Sequence, residues 1–176
     1  MGNNKAALEM GFKKGKELIF AHLYNQCINF CDALVKDALQ KREFQSFTGN
    51  TITSFACGIY VNGSLSYVVA SGDTMPAPVH AKVQKGETVY LQNPYEGVPR
   101  STTGKVDIVY NQSGMETSVR ILQGFSPTVK GISVIMTTGT EYSTYLESVY
   151  HLNVLTETSQ ESNIKHLLYS SFKPLP

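Results

Sequence analysis

Residues 56–70 read ACGIYVNGSLSYVVA, two β-rich runs on either side of Asn62-Gly63. Asparagine and glycine both accept positive φ, which the tightest hairpin loops require at both central positions. The stretch predicts an antiparallel hairpin, with Ala56–Val61 as one strand and Ser64–Ala70 as the other. Upstream of it the hydrophobic period is different. Phe20, Leu23, Cys27, Phe30, Cys31, Leu34 and Ala38 recur at three- and four-residue steps, the mark of a helix with one apolar stripe. That helix is expected from about residue 9 to about residue 42. Lys36, Gln40, Lys41 and Arg42 lie off the stripe, and the basic cluster suits the carboxyl pole of the helix dipole. Phe47-Thr48-Gly49-Asn50 then stops the helical run, since Gly and Asn suit a helix exit. A helix of this length spans roughly 45–50 Å, long for a small domain. Its amino-terminal part is therefore expected either to project or to pack on a neighbouring subunit.

A helix followed by pleated segments gives the fold class: α+β, a long N-terminal helix packed on an antiparallel β-sheet, with a C-terminal helix. The sheet is expected over about 52–138, interrupted by an insertion at 71–104. That insertion holds Gly72, Gly86, Gly97 and Gly104 with Pro76, Pro78, Pro94 and Pro99. Within it, Val79–Gln84 and Glu87–Gln92 form a short alternating pair across a turn at Lys85-Gly86. So long a stretch with little regular structure reads as a contact arm or as a plain insertion. Further strands are expected at Lys105–Tyr110, at Met115–Leu122 and within Thr128–Thr138. The Met115–Leu122 reading rests on Met115, Thr117, Val119 and Ile121 alternating with polar neighbours. The region 140–172 is expected to be helical: first Glu141 to about Tyr150, then a brief extended piece at Asn153–Thr156. A last helix over about 157–172 follows, capped by Thr156, with Ile164, Leu167, Leu168 and Phe172 as its apolar residues.

The 176 residues suit one domain, 1–176, with 41% hydrophobic residues to fill a core. Charged residues make up only 16%, against roughly 25% in ordinary soluble domains. Ser, Thr, Asn, Gln and Tyr must then cover the surface, which suits partner contacts. A net charge of +1 supplies no global basic field for nucleic acid. Lys5, Lys13, Lys14 and Lys16 form a local basic cluster that reads as a solvated helix face. No apolar run approaches the roughly 20 residues of a membrane span.

Residues for chemistry are sparse. Cys27, Cys31 and Cys57 form neither a disulfide framework nor a CxxC knuckle, and are read as free thiols. His22, His80, His151 and His166 lack the short ligand spacings of a metal site. Cys57 with His80 is the one nucleophile–base pair worth naming, and neither residue carries a local signature. Glu141 and Glu147 are better explained by packing, and no phosphate-cradling glycine loop is present. Neither catalysis, nor a cofactor, nor a metal is expected.

The order of parts resembles the tail-completion, or head–tail joining (neck), proteins of tailed double-stranded-DNA bacteriophages. The residues that carry the resemblance are Thr48-Gly49-Asn50 after the long helix, the Asn62-Gly63 hairpin, and Gly139-Thr140-Glu141-Tyr142-Ser143-Thr144-Tyr145-Leu146-Glu147. The last of these matches a Gly-x-x-Tyr-[AS]-x-Tyr-[VL]-Glu pattern. The likeness covers most of the chain in element order and about a dozen positions in residues. It departs from the family plan in the 71–104 insertion and in the lead-in to Thr48. The resemblance implies a structural virion protein, made in the host bacterial cytoplasm. Copies would form a homo-oligomeric ring in the neck, between portal and tail proteins, with double-stranded DNA passing through the lumen without specific binding. A ring needs two different adhesive surfaces per subunit. Phe12 and Phe20 on the helix, and Met75, Tyr90, Tyr95 and Arg100 on the arm, are the interface candidates. The competing expectation is a monomeric β-rich module that recognises a partner surface through the 71–104 loop.

Overall fold

The computed structural model describes residues 3–46, 48–77, 84–91, 100–103 and 114–174. Helix α1 runs Asn3–Lys41, some six residues longer at its start than its apolar stripe announced. Strands β1 (Phe55–Val61) and β2 (Ser64–Ala70) form the expected hairpin, with Asn62 at φ 51° and Gly63 at φ 87°. Strand β5 (Ile132–Thr138) pairs antiparallel with the other edge of β1, giving the order β2-β1-β5. The class is α+β, as the sequence predicts.

Strand β1 is covered on both faces, so its sequence does not alternate. Phe55, Cys57 and Ile59 point towards α1, where Cys27, Phe30, Cys31, Leu34 and Ala38 complete the larger core. Each of the larger side chains here, Phe30, Leu34, Phe55 and Ile59, stabilises by roughly 1.5–3 kcal/mol when fully buried. Ala56 and Tyr60 point to the opposite face and meet Leu122. The register of β2 jumps between Ile59↔Tyr67 and Tyr60↔Leu65, leaving Ser66 as the extra residue of a bulge. The bulge lets Leu65 and Val68, three apart, share one face while Tyr67 and Val69 turn to the other.

The residues that cover the second face of the sheet correct the expected strand at Met115–Leu122. They form helix α2, Gly114–Gly124. Gly114, Ser118 and Leu122 are buried, a four-residue step, whereas Ile121 is 46% exposed. The alternation of Met115, Thr117, Val119 and Ile121 fits a strand equally well on paper, but burial follows the helical step. Gly58 makes room for this helix: a Cβ there would lie 3.1 Å from Leu65 Cδ1 and 3.3 Å from Leu122 Cδ2.

Thr48-Gly49-Asn50 does not end α1, which stops at Lys41. It folds instead into a polar turn that anchors α2. Thr53 Oγ1 donates to Gly49 O (2.8 Å), and Asn50 Oδ1 accepts from Gly114 N. Ser118 Oγ donates to Ser54 O, and the Ser54 and Thr138 hydroxyls are 2.6 Å apart. At the same junction a Cβ on Gly139 would collide with the backbone of Ser118. The real end of α1 is closed by Asn153, whose Nδ2 donates to Lys41 O (2.8 Å).

Helix α3 spans Glu141–Tyr150, as expected. His151, at φ 54°, turns the chain, and Leu152 N reaches back to Leu146 O (3.1 Å) in a left-handed helix exit. The expected extended piece at Asn153–Thr156 is a bend and turn wrapped around a carboxylate. Glu147 Oε1 accepts from the backbone N–H of Val154 (3.2 Å), Leu155 (2.7 Å) and Thr156 (3.0 Å), and from Thr156 Oγ1 (3.0 Å). Thr156 is thereby drawn away from capping. The last helix, α4, begins later than expected, at Glu161, and ends at Ser171. Thr158 and Asn163 both donate to Asp37 Oδ2 (2.9 Å each), which fixes this turn to α1 and delays the helix. Ile164, Leu167, Leu168 and Phe172 pack on the larger core, as their spacing predicts.

In the insertion, Gly86 at φ 86° makes the expected turn, with Glu87 N donating to Gln84 O (3.0 Å). Strand β3, Thr88–Leu91, pairs antiparallel with β4, Arg100–Thr103. Residues 79–83, most of the partner proposed for β3 from sequence, lie outside the described residues. So does the strand expected at Lys105–Tyr110.

Candidate interaction surface

Support for α1 along its length is uneven. From Gln26 to Ala38 its apolar side meets the sheet, and α4 packs beside it. The first tertiary hydrogen bond along α1, among the described residues, is at His22, whose Nε2 lies 3.0 Å from Lys173 O. Lys173 N also donates to Gln26 Oε1 (3.3 Å). Before that point the helix is bare, yet it remains apolar. Leu8, Met10, Phe12, Leu18 and Ile19 are 62%, 72%, 65%, 61% and 48% exposed. A Cβ added to Gly11 or Gly15 would meet nothing within 4 Å. Two glycines inside a helix cost about 1 kcal/mol each against alanine, and no contact within the molecule offsets them. Exposed large side chains in such number mark a contact surface better than scattered ones do.

A second bare apolar face lies on α3. Tyr142 and Tyr145 have ring centroids 5.6 Å apart, and Tyr145 meets Tyr150 edge-on at 5.3 Å. Val149 completes the patch, and all four side chains are exposed. Tyr145's phenol is held above its ordinary value, first by its hydrogen bond with Tyr150 and then by that neighbour's charge. Buried Ser143 and Leu146 set the other side of α3 against the body, so the tyrosines are pinned on a rigid element. Sequence reasoning quoted these tyrosines for their motif and did not name them as contact residues. The signal was available, because Tyr142, Tyr145 and Val149 recur at three- and four-residue steps.

Of the named interface candidates, Phe12 and Phe20 both lie exposed on α1, and Phe20 stacks on Tyr24 at 6.2 Å. Tyr90 is 78% exposed on β3. Met75, just past the Ser71–Asp73 turn, is half-buried. Arg100 opens β4 opposite Leu91. Tyr95 lies outside the described residues. Of the described candidates, two thus fall on α1, two on the β3–β4 pair and Met75 on the segment after β2, and the α3 face adds a further surface.

Cys27, Cys31 and Cys57 are free and buried, and His80 lies outside the described residues. The hydrogen bond with Cys57, and then burial, pushes the Cys31 thiol far up; burial, and then the charge of Cys31, raises Cys27. Neutral, enclosed thiols are poor nucleophiles. Burial pushes Glu147 up, but its donors from Leu155, Thr156 and Val154 outweigh this and hold the carboxyl below its ordinary value. Among the described residues no cluster of His, Cys, Asp and Glu is placed to hold a metal ion, and no helix is long and apolar enough to cross a membrane. Protein-family models, curated proteins and solved structures all fail to match the chain.

Proposed function

We propose that the chain is a structural assembly protein, whose copies join into a ring in the neck of a tailed bacteriophage, between head and tail. The observation that carries the assembly part is the projecting half of α1, an exposed apolar helix on a molecule with a complete core of its own. A protein does not keep such a face for stability, because the side chains there contribute nothing to folding while they face water. The assignment to a phage neck rests on the resemblance carried by Thr48-Gly49-Asn50, the Asn62-Gly63 hairpin and Gly139–Glu147. The local structure supports it in one respect. All three segments are joints: the first anchors α2, the second sets the sheet register, and the third ends in the carboxylate that organises 153–156. In this reading the protein carries out no reaction, and DNA passes a ring that does not grip it.

Two measurements test the proposal. Light scattering and negative-stain electron microscopy of the purified full-length chain should find closed rings. Portal-bearing heads incubated with the chain should retain it at the portal vertex. A protein that stays monomeric at every concentration and is not retained by such heads is something else.

A further inference from the structure

We infer that the occupant of the projecting half of α1 is a second copy of this chain, and that it docks on that copy's α3 tyrosine face. The inference rests on the assembly reading above and names its contact. On a helical wheel Leu8, Phe12, Leu18, Ile19 and Leu23 fall, with Gly11 and Gly15, within an arc of about 140°. The two glycines make this arc shallow enough for a flat aromatic surface to approach the helix backbone. Tyr142, Tyr145 and Tyr150 with Val149 form such a surface, and tyrosine is among the residue types enriched where interfaces hold most strongly.

Charge selects this pairing. The near-zero net charge hides a segregated distribution. Along α1 before His22 stand Lys5, Lys13, Lys14 and Lys16, against Glu9 and Glu17. From Gly139 to Ile164 stand Glu141, Glu147, Glu157 and Glu161, with no lysine or arginine. Glu147 is engaged with the backbone and Glu161 with Lys165 (2.6 Å), which leaves Glu141 exposed on α3 next to Tyr142 and Glu157 exposed on the turn that follows α3. A basic apolar rod therefore fits an acidic aromatic face. Two different surfaces meeting head to tail leave one of each free, so copies add until the ring closes.

The test uses two full-length variants with changes at exposed positions, Phe12→Ser with Ile19→Ser on α1, and Tyr145→Ser with Val149→Ser on α3. Circular dichroism and the thermal midpoint establish that both fold. The wild type is expected to form assemblies larger than dimers. Each variant alone should associate more weakly, by on the order of 30-fold or more, the scale of losing central contact residues. Their equimolar mixture should form dimers and stop, because it contains one intact helix face and one intact tyrosine face per pair. If the α3 variant alone still dimerises or assembles as the wild type does, the docking inference is wrong while the assembly reading survives. The same holds if the α1 variant assembles normally. A wild type that is monomeric at its highest soluble concentration removes the docking inference; the assembly reading falls with it when portal-bearing heads also fail to retain the chain.

Discussion

Glu147 shows how one side chain can replace a secondary-structure element. Its carboxylate collects three successive backbone N–H groups and one hydroxyl, so residues 153–156 need no strand partner. Because these bonds hold its pKa below the ordinary value, the folded state gains stability from the ionised form. That gain is fully present above the unfolded pKa of about 4.3 and is lost as pH falls through the lower folded value. Glu147→Gln should therefore destabilise by about 1–2 kcal/mol at pH 7, an amount already discounted for partial exposure. Chemical denaturation at several pH values should show the difference from wild type narrowing below about pH 4. A constant difference across that range would mean that packing, not charge, holds the turn. The cysteines give a second check at this scale. With all three buried, a thiol reagent should label them at the rate of unfolding and not before.

Between elements, α2 and its neighbours decide how much of this fold was legible. Leu122 is fully buried while Ile121 is 46% exposed. Leu122→Ala should cost about 2–4 kcal/mol and Ile121→Ala at most about 0.5 kcal/mol; a strand at Met115–Leu122 reverses that order, and urea melts of the two variants distinguish the cases. Gly58→Val should cost about 1–3 kcal/mol, since Leu65 and Leu122 already occupy the space. The hairpin, α3 and the apolar residues of α4 were readable because local chemistry specifies them: positive φ at Asn62-Gly63, a helical step in Glu141–Tyr150, and Ile164, Leu167 and Leu168 on one face. Helix α2 was not, because eight residues that alternate also satisfy a four-residue step, and only the sheet face chooses between them. Nor were the turn at 153–156, which depends on Glu147 of another element, and the late start of α4, which depends on Asp37, remote in sequence. For the candidate surface, Phe12 and Phe20 were legible as apolar residues on a helix too long for its domain. The spacing of Tyr142, Tyr145 and Val149 puts them on one helix face, but spacing alone does not say whether that face is buried or left uncovered.

For the molecule as a whole, the deciding property is the separation of charge and apolar surface along one chain. A net charge of +1 and a pI near 7.7 leave little self-repulsion at neutral pH, so copies can approach one another. In the proposed contact the lysines of α1 and the exposed Glu141 and Glu157 would attract one another at the rim, where salt screens them. Screening shortens the electrostatic range from about 10 Å at 0.1 M to about 3 Å at 1 M ionic strength. The apolar contribution of Leu8, Phe12, Ile19 and the tyrosines is not screened. Sedimentation across that range should therefore show assembly weakening with salt but persisting at the high end. The double variant Lys13→Glu with Lys16→Glu should lose assembly in low salt. Adding a copy that carries Glu141→Lys with Glu157→Lys should restore it, because each altered helix then meets an altered face and each native helix a native one. The mixture averages to the wild-type net charge of +1, so the control is a copy carrying two Glu→Lys changes elsewhere on the surface: rescue by the Glu141 and Glu157 exchange and not by that control requires that the two surfaces touch, whereas a general effect of net charge would give rescue by both.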